Sequence, residues 1–169
     1  MDVLEAIKTR RSIRNYRDEP IPEKSIEAIL EAGRWAPSAD NSQPWKFILV
    51  RDSEVKKKLA ECFIYGRFIA YTPLTIAVTI NPNVSSHPVE DGAAATQNML
   101  LAAHALGLGA CWIGSYGSIY EEKAKDILGV PKGERLLSVV TVGYPAEAPA
   151  WRSRKALNEI TFSDKYGKR

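Results

Sequence analysis

Three arginines and a hydroxyl fall within five consecutive residues, Arg10-Arg11-Ser12-Ile13-Arg14. Guanidinium forks around a hydroxyl supply charge-assisted, partly bidentate donors of the kind a phosphate monoester takes. The competing reading is a solvated helix end, where cations complement the macrodipole. That accounts for one or two arginines and less well for three. A second candidate is Pro37-Ser38-Ala39-Asp40-Asn41-Ser42-Gln43-Pro44-Trp45. Its stiff backbone and short polar side chains beside an aromatic suit a heterocycle bound edge-on, and a plain surface turn fits equally well. A third, Gly107-Leu108-Gly109-Ala110-Cys111-Trp112, starts like a dinucleotide fingerprint. It puts Trp112 where the third glycine belongs and passes from helix to strand, the reverse of a Rossmann turn.

Other chemistries lack their parts. The sequence holds no Walker-type loop, metal-spaced histidine pair, Gly-x-Ser-x-Gly elbow or Cys/His pair. His87 falls in a loop, and His104 on an apolar helix reads as a hydrogen-bonded interior histidine. Cys111 reads as a small core residue with nothing nearby to lower its pKa. With Cys62 it is too little for a disulfide framework, so a reducing cytoplasm and no structural zinc are the expectation.

The elements that must position these residues follow from pattern. A helix is predicted over Asp2–Arg11, opened by Asp2 with Glu5 three residues on. A second runs from Ile21-Pro22 to about Trp35, with the proline in its first turn. The prolines between Ala36 and Pro44 predict neither helix nor strand there. Phe47–Val50 reads as a strand, followed by a helix from Glu54 to about Phe63 behind Asp52 or Ser53. The β-branched run Leu74–Ile80 reads as a strand covered on both faces. Val89–Leu106 is apolar nearly all round, which predicts burial on every side, its alanines suiting a second copy of the chain. Ala110–Ile113 and Arg135–Tyr144 read as strands, with a helix from Ser118 to Leu128 between them. The last residues, carrying Trp151, Leu157, Ile160 and Phe162, read as an extended tail lying on another surface.

At 169 residues, with 45% hydrophobic and 25% charged residues, the chain fits a single soluble domain over 1–169. No apolar run reaches the ~18 residues of a membrane span, and the acidic start does not resemble a signal peptide. The net charge of +3 is unevenly spread. Residues 1–17 carry five bases and two acids, and residues 151–169 six bases and two acids, over a slightly acidic middle. The ends are either solvated tails or two halves of one anion site.

Taken in order, Arg10–Arg14, Ala36–Trp45, Asp91-Gly92 through Gly107–Gly114, and Val142-Gly143-Tyr144-Pro145 resemble the nitroreductase family of FMN-dependent oxidoreductases. The resemblance covers essentially the whole chain, at the short end of the family's range. It implies an α+β fold of three α-β-α layers around a mostly antiparallel sheet. It also implies a homodimer with FMN at the interface and a C-terminal tail reaching the partner subunit. By resemblance, Arg10, Ser12 and Arg14 hold the FMN phosphate and pyrimidine edge, with Arg11 adding charge or main-chain contacts. Arg152 and Arg154 return to the same phosphate. Pro37, Ser38 and Ala39, backed by Asn41 and Gln43, are the loop offered to the partner's flavin ring. Trp112-Ile113-Gly114 lies along the ring near N5. Where some members read the pyrimidine with an asparagine, this chain has Ile64-Tyr65-Gly66-Arg67; either Arg67 takes that contact or the stretch lines the substrate pocket with Tyr65.

The implied chemistry is the cofactor's own: hydride from NADH or NADPH, then reduction of a nitroaromatic, quinone or similar small electron-poor acceptor in ping-pong order. No side chain is assigned as acid or base, and no metal, nucleic acid or membrane partner is expected. Alternatives are a same-fold flavoenzyme of other chemistry, such as a reductive dehalogenase, a non-catalytic FMN-binding or regulatory module, and a domain binding nucleic acid weakly through its basic tail.

Overall fold

The computed structural model describes residues 1–168, so Arg169, the last of the C-terminal bases, lies outside the described residues. Helix α1, Val3–Thr9, is capped by Asp2, whose carboxylate accepts the Leu4 N–H at 3.4 Å. It ends two residues before the predicted Arg11. The chain leaves the helix there to run beside a strand, where the Ile13 N–H donates to Ala110 O at 3.0 Å. Helix α2 spans Glu23–Arg34, with Pro22 as its N-cap residue rather than inside its first turn. Within the loop expected to be free of helix, one 3₁₀ turn forms at Ala39–Asn41. Pro37 and Pro44 lie outside that turn, so neither removes its hydrogen bonds.

Strand β1, Trp45–Val50, starts before the predicted Phe47 because its pairing extends to Trp45 opposite Ile80. Helix α3, Ser53–Cys62, is capped by Asp52, which accepts the Val55 N–H at 2.9 Å. An unpredicted 3₁₀ turn, Arg67–Tyr71, leads into β2, Leu74–Ile80. Then follow α4, Pro88–Ala105, β3, Gly109–Gly114, and α5, Glu121–Leu128. Ser118 accepts the Tyr120 N–H, and α5 begins only after Tyr120. Strand β4, Arg135–Gly143, is followed by one short helix, α6, Leu157–Ile160, where an extended tail was predicted. The Ala156 N–H donating to the Glu159 carboxylate at 2.8 Å closes that turn.

The sheet has the order β1-β2-β4-β3, every pair antiparallel. All seven residues of β2 are buried, as its β-branched run predicts for a strand covered on both faces. One core joins Ile26 and Ile29 of α2 and Met99 and Ala103 of α4 to Ile76, Val78 and Val140. The other joins Leu59 and Phe63 of the α3 region and Ala124 of α5 to Ala77, Leu136 and Val139. The result is the α-β-α layering and α+β class that the sequence motifs imply. Gly92 lets α4 sit close on the sheet, since a Cβ there would meet Ile80 Cγ2 and Leu137 Cδ2 at 2.6 Å.

Burial of α4 on every side is not what a single chain gives. Its Gly92, Ala95, Met99 and Ala103 are buried, but Ala93, Gln97 and Leu101 are half-buried and Ala105 is exposed, along one face. The all-round apolar composition therefore leaves an open stripe. Val3, Leu4 and Ile7 of α1 are likewise exposed.

Candidate functional site

Residues 12–17 are stitched to the β3–β4 edge of the sheet. Ile13 N–H bonds to Ala110 O, Arg17 N–H to Tyr144 O and Ala146 N–H to Asn15 O, at 3.0, 2.9 and 2.9 Å. The Tyr16 hydroxyl reaches Ile13 O at 2.5 Å and Thr141 Oγ1 at 2.7 Å, and burial pushes its pKa far up. Gly109 is what permits this approach: a Cβ there would stand 2.7 Å from both Cβ and Cγ1 of Ile13. Ile13 branches at Cβ and cannot rotate out of the way. The second glycine of the apparent fingerprint thus seats the arginine segment, and Gly107, at φ +77°, ends α4. Gly109→Ala is expected to cost about 1–3 kcal/mol, read as a lower urea midpoint at unchanged slope. An unchanged midpoint would mean that the segment is not held by this contact.

The stitching brings the two basic ends of the chain together. Arg10, Arg11, Ser12 and Arg14 face Arg152 and Arg154 across a cavity of ≈ 170 Å³. The two readings of the arginine cluster divide by residue. Arg11 donates from Nη1 to Lys8 O and Arg10 O, each at 2.8 Å, and so closes the helix end. The side chains of Arg10 and Arg14 have no carboxylate partner among the described residues. Burial, with Arg11 and Arg154 nearby, lowers the Arg10 pKa. The site therefore holds more positive charge than the single carboxylate beside it among the described residues, Glu147, can offset.

Arg14 also walls a second cavity of ≈ 220 Å³, with Phe63, Phe68, Cys111, Tyr120 and the predicted Trp112-Ile113-Gly114. Cationic and apolar cavities thus meet at one side chain. Cys111 is buried, and burial pushes its thiol pKa up even though Arg14, Ser12 and Arg10 pull the other way. His104 is half-buried rather than interior. Thr9 Oγ1 gives its single proton to Glu5 O at 2.7 Å, so His104 Nε2, 2.8 Å away, is the donor to it. Burial, then Arg10 and Arg11, lower the His104 pKa.

Two predicted groups stand apart. Arg67 is exposed and lines a separate cavity of ≈ 550 Å³ with Lys57, Glu61 and Tyr71, which shares Phe63 and Ile64 with the apolar cavity. The unpredicted 3₁₀ turn carries it there. Pro37, Ser38, Ala39, Asn41 and Gln43 lead into β1, the sheet edge opposite β3. Their loop is tied to α4: Ala39 N–H donates to Asp91 Oδ1 at 3.1 Å, and Ser85 Oγ donates to Asp91 Oδ2 at 2.5 Å. Asp40, Asn41 and Gln43 all take positive φ, of 52°, 54° and 49°. Such backbone persists only where contacts over-determine it. Here Ser38 Oγ accepts the Gln43 N–H, and the Gln43 amide donates to Asn41 O. Within one chain this loop and Trp112 lie on opposite edges of the sheet, the loop against α4 and the cavity against the α3–α5 layer.

Known proteins share this fold. The family model for the nitroreductase family matches residues 7–66 and 73–144. An Archaeoglobus fulgidus protein provisionally named NADH dehydrogenase/NAD(P)H nitroreductase is 44% identical over 151 residues, 86% of this chain and 87% of its own. A crystal structure from Parabacteroides distasonis, with the same provisional name, superposes at a TM-score of 0.92 with 32% identity, covering 97% of this chain and 98% of that one. A provisionally named nitroreductase from Desulfovibrio desulfuricans, solved in complex with FMN, gives 0.85 and 34%, covering 98% of each chain. The chain belongs to the nitroreductase family.

Proposed function

We propose that this chain, an NAD(P)H-dependent flavin oxidoreductase, works as a homodimer that reduces nitroaromatics, quinones or similar electron-poor small molecules. The observation that carries the cofactor placement is the meeting of a cationic cavity and an apolar one at Arg14. A dianionic phosphate joined to a flat heterocycle has that shape and charge. The donor set fits FMN: Arg10, Ser12, Arg14, Arg152 and Arg154 hold the phosphate, Arg11 adds charge, and Trp112-Ile113-Gly114 flank the ring. Bound FMN supplies hydride acceptance from NADH or NADPH and hydride delivery to the acceptor.

The chain's own part is to bind, orient and shield. Arg14 brings positive charge to the junction of phosphate and ring. Phe63, Phe68 and Tyr120 exclude water from the apolar cavity. Pro37, Ser38, Ala39, Asn41 and Gln43, on the far sheet edge, serve the partner's cofactor rather than their own. The open stripe on α4 and the exposed apolar residues of α1 form the contact between copies. One stacking position used in turn by donor and acceptor gives ping-pong kinetics.

Purified protein is expected to be yellow, to release FMN identified by mass, and to bleach when titrated anaerobically with NADH or NADPH. A colourless protein that cannot be reconstituted with FMN would overturn the reading. Flavin that neither nicotinamide bleaches would move the chain to another chemistry on the same fold.

A further inference from the structure

Glu147 is the carboxylate nearest in contact to the arginine segment, and nothing in the flavin reading uses it. Its Oε1 accepts two successive backbone N–H groups, from Arg14 at 2.6 Å and Asn15 at 3.2 Å. The neighbouring Ala146 N–H returns a bond to Asn15 O at 2.9 Å. The segment that bears Arg14 is therefore held by the segment that leads, through Pro149 and Ala150, to Arg152 and Arg154. A negative group beside an anion pocket is electrostatically adverse, so its place there calls for a compensating role. Two charge-assisted bonds to consecutive amides supply one, because they fix the backbone orientation from which the Arg14 side chain departs.

We infer that Glu147 is a positioning residue for the phosphate half of the cofactor site, locking the N-terminal and C-terminal basic segments into one cavity. The inference rests on the reading that the cavity takes the FMN phosphate. It makes Glu147 matter more for the phosphate-bearing ligand: it acts on FMN through Arg14, Arg152 and Arg154 together, and far less on riboflavin, whose ring is the same and whose phosphate is missing. The amide of glutamine keeps an acceptor oxygen at the same place, whereas alanine removes it.

The test measures dissociation constants of FMN and riboflavin, by flavin fluorescence, for the native apoprotein, Glu147→Ala and Glu147→Gln, with thermal unfolding of each apoprotein alongside. Glu147→Ala is expected to weaken FMN on the order of tenfold, the scale of one lost charge-assisted bond. Riboflavin binding stays within twofold, and Glu147→Gln recovers most of the FMN affinity. Equal loss of both ligands, an unchanged FMN constant, or no recovery in Glu147→Gln each overturns the inference. If the native protein itself binds FMN no better than riboflavin, the phosphate reading fails first, and that result is distinct from the other three.

Discussion

Arg10→Ala is expected to loosen FMN by a factor of roughly 12 to 150, the equivalent of about 1.5–3 kcal/mol for a lost hydrogen bond to a charged group. The size follows from what surrounds the residue. Arg10 has no carboxylate of its own among the described residues, and it shares its cavity with Arg11, Arg14, Arg152 and Arg154. Its charge is thus available to a ligand and is not diverted into a salt bridge. Arg11→Ala should do less to the cofactor and more to the helix end, because Arg11 already spends its Nη1 donors on Lys8 O and Arg10 O. The measurement is the flavin content of the purified variants, followed by titration of the apoproteins. Arg10→Ala copurifying with a full complement of FMN would remove Arg10 from the phosphate site.

That contrast shows what local sequence carries and what it does not. Three arginines in five residues advertise an anion site because like charges gathered on one short stretch need a reason. The separation of Arg11 from its neighbours was not readable, since helix α1 could have ended at either Thr9 or Arg11. What stops it is Ala110, a hundred residues away, which claims the Ile13 N–H. Glu147 and Asp91 escaped for the same cause. Each is an ordinary acid by local pattern, and each acts on amides 52 to 133 residues distant. Glu90 and Asp91 both stand in the first turn of α4, and local pattern does not say which of them the 37–43 loop meets.

Strand patterns were legible because burial on both faces writes itself into β2 as a run in which Thr75, Ile76, Val78, Thr79 and Ile80 are β-branched and no residue is charged. The 3₁₀ turn at Arg67–Tyr71 left no such mark, and with it went the position of Arg67. The loop at 37–43 could be recognised as shaped but not in which shape. Its three left-handed residues are held by Ser38, Gln43 and Asp91 together, a tertiary outcome that no single residue type specifies. Composition also overstated α4. A helix apolar all round predicts complete burial, and α2, the sheet and the short α1 of one chain leave the face of Ala93, Gln97, Leu101 and Ala105 incompletely covered.

The Arg135–Glu121 pair shows how stability reaches the cofactor cavity. Arg135 grips the Glu121 carboxylate at 2.6 and 2.7 Å, and the N–H groups of Gly117 and Leu136 donate to the same carboxylate at 2.7 and 3.2 Å. Burial opposes the charged form of Glu121, but the Arg135 fork and the two amides outweigh it, and the pKa lies below the ordinary glutamate value. Glu121→Ala would strand a buried amide and a guanidinium. Because the Arg135 side chain is 34% exposed and can recruit water, the cost is about 2–3 kcal/mol rather than the full buried-pair figure. In a domain of this size that lowers the melting temperature by roughly 4–12 °C. A depressed folded-state pKa contributes stability above the unfolded glutamate value, about 4.3, and loses it as pH falls through the folded one. The stability gap between the native protein and Glu121→Gln should thus be constant from neutral pH down to about that value, then close in more acid solution. Tyr120, which lines the apolar cavity, immediately precedes Glu121, so loss of flavin on heating should move with the unfolding midpoint in both variants. A gap that instead widened in acid would mean that the carboxyl is bound in its protonated form, and that the contact holding the chain between Gly114 and α5 is not an ion pair.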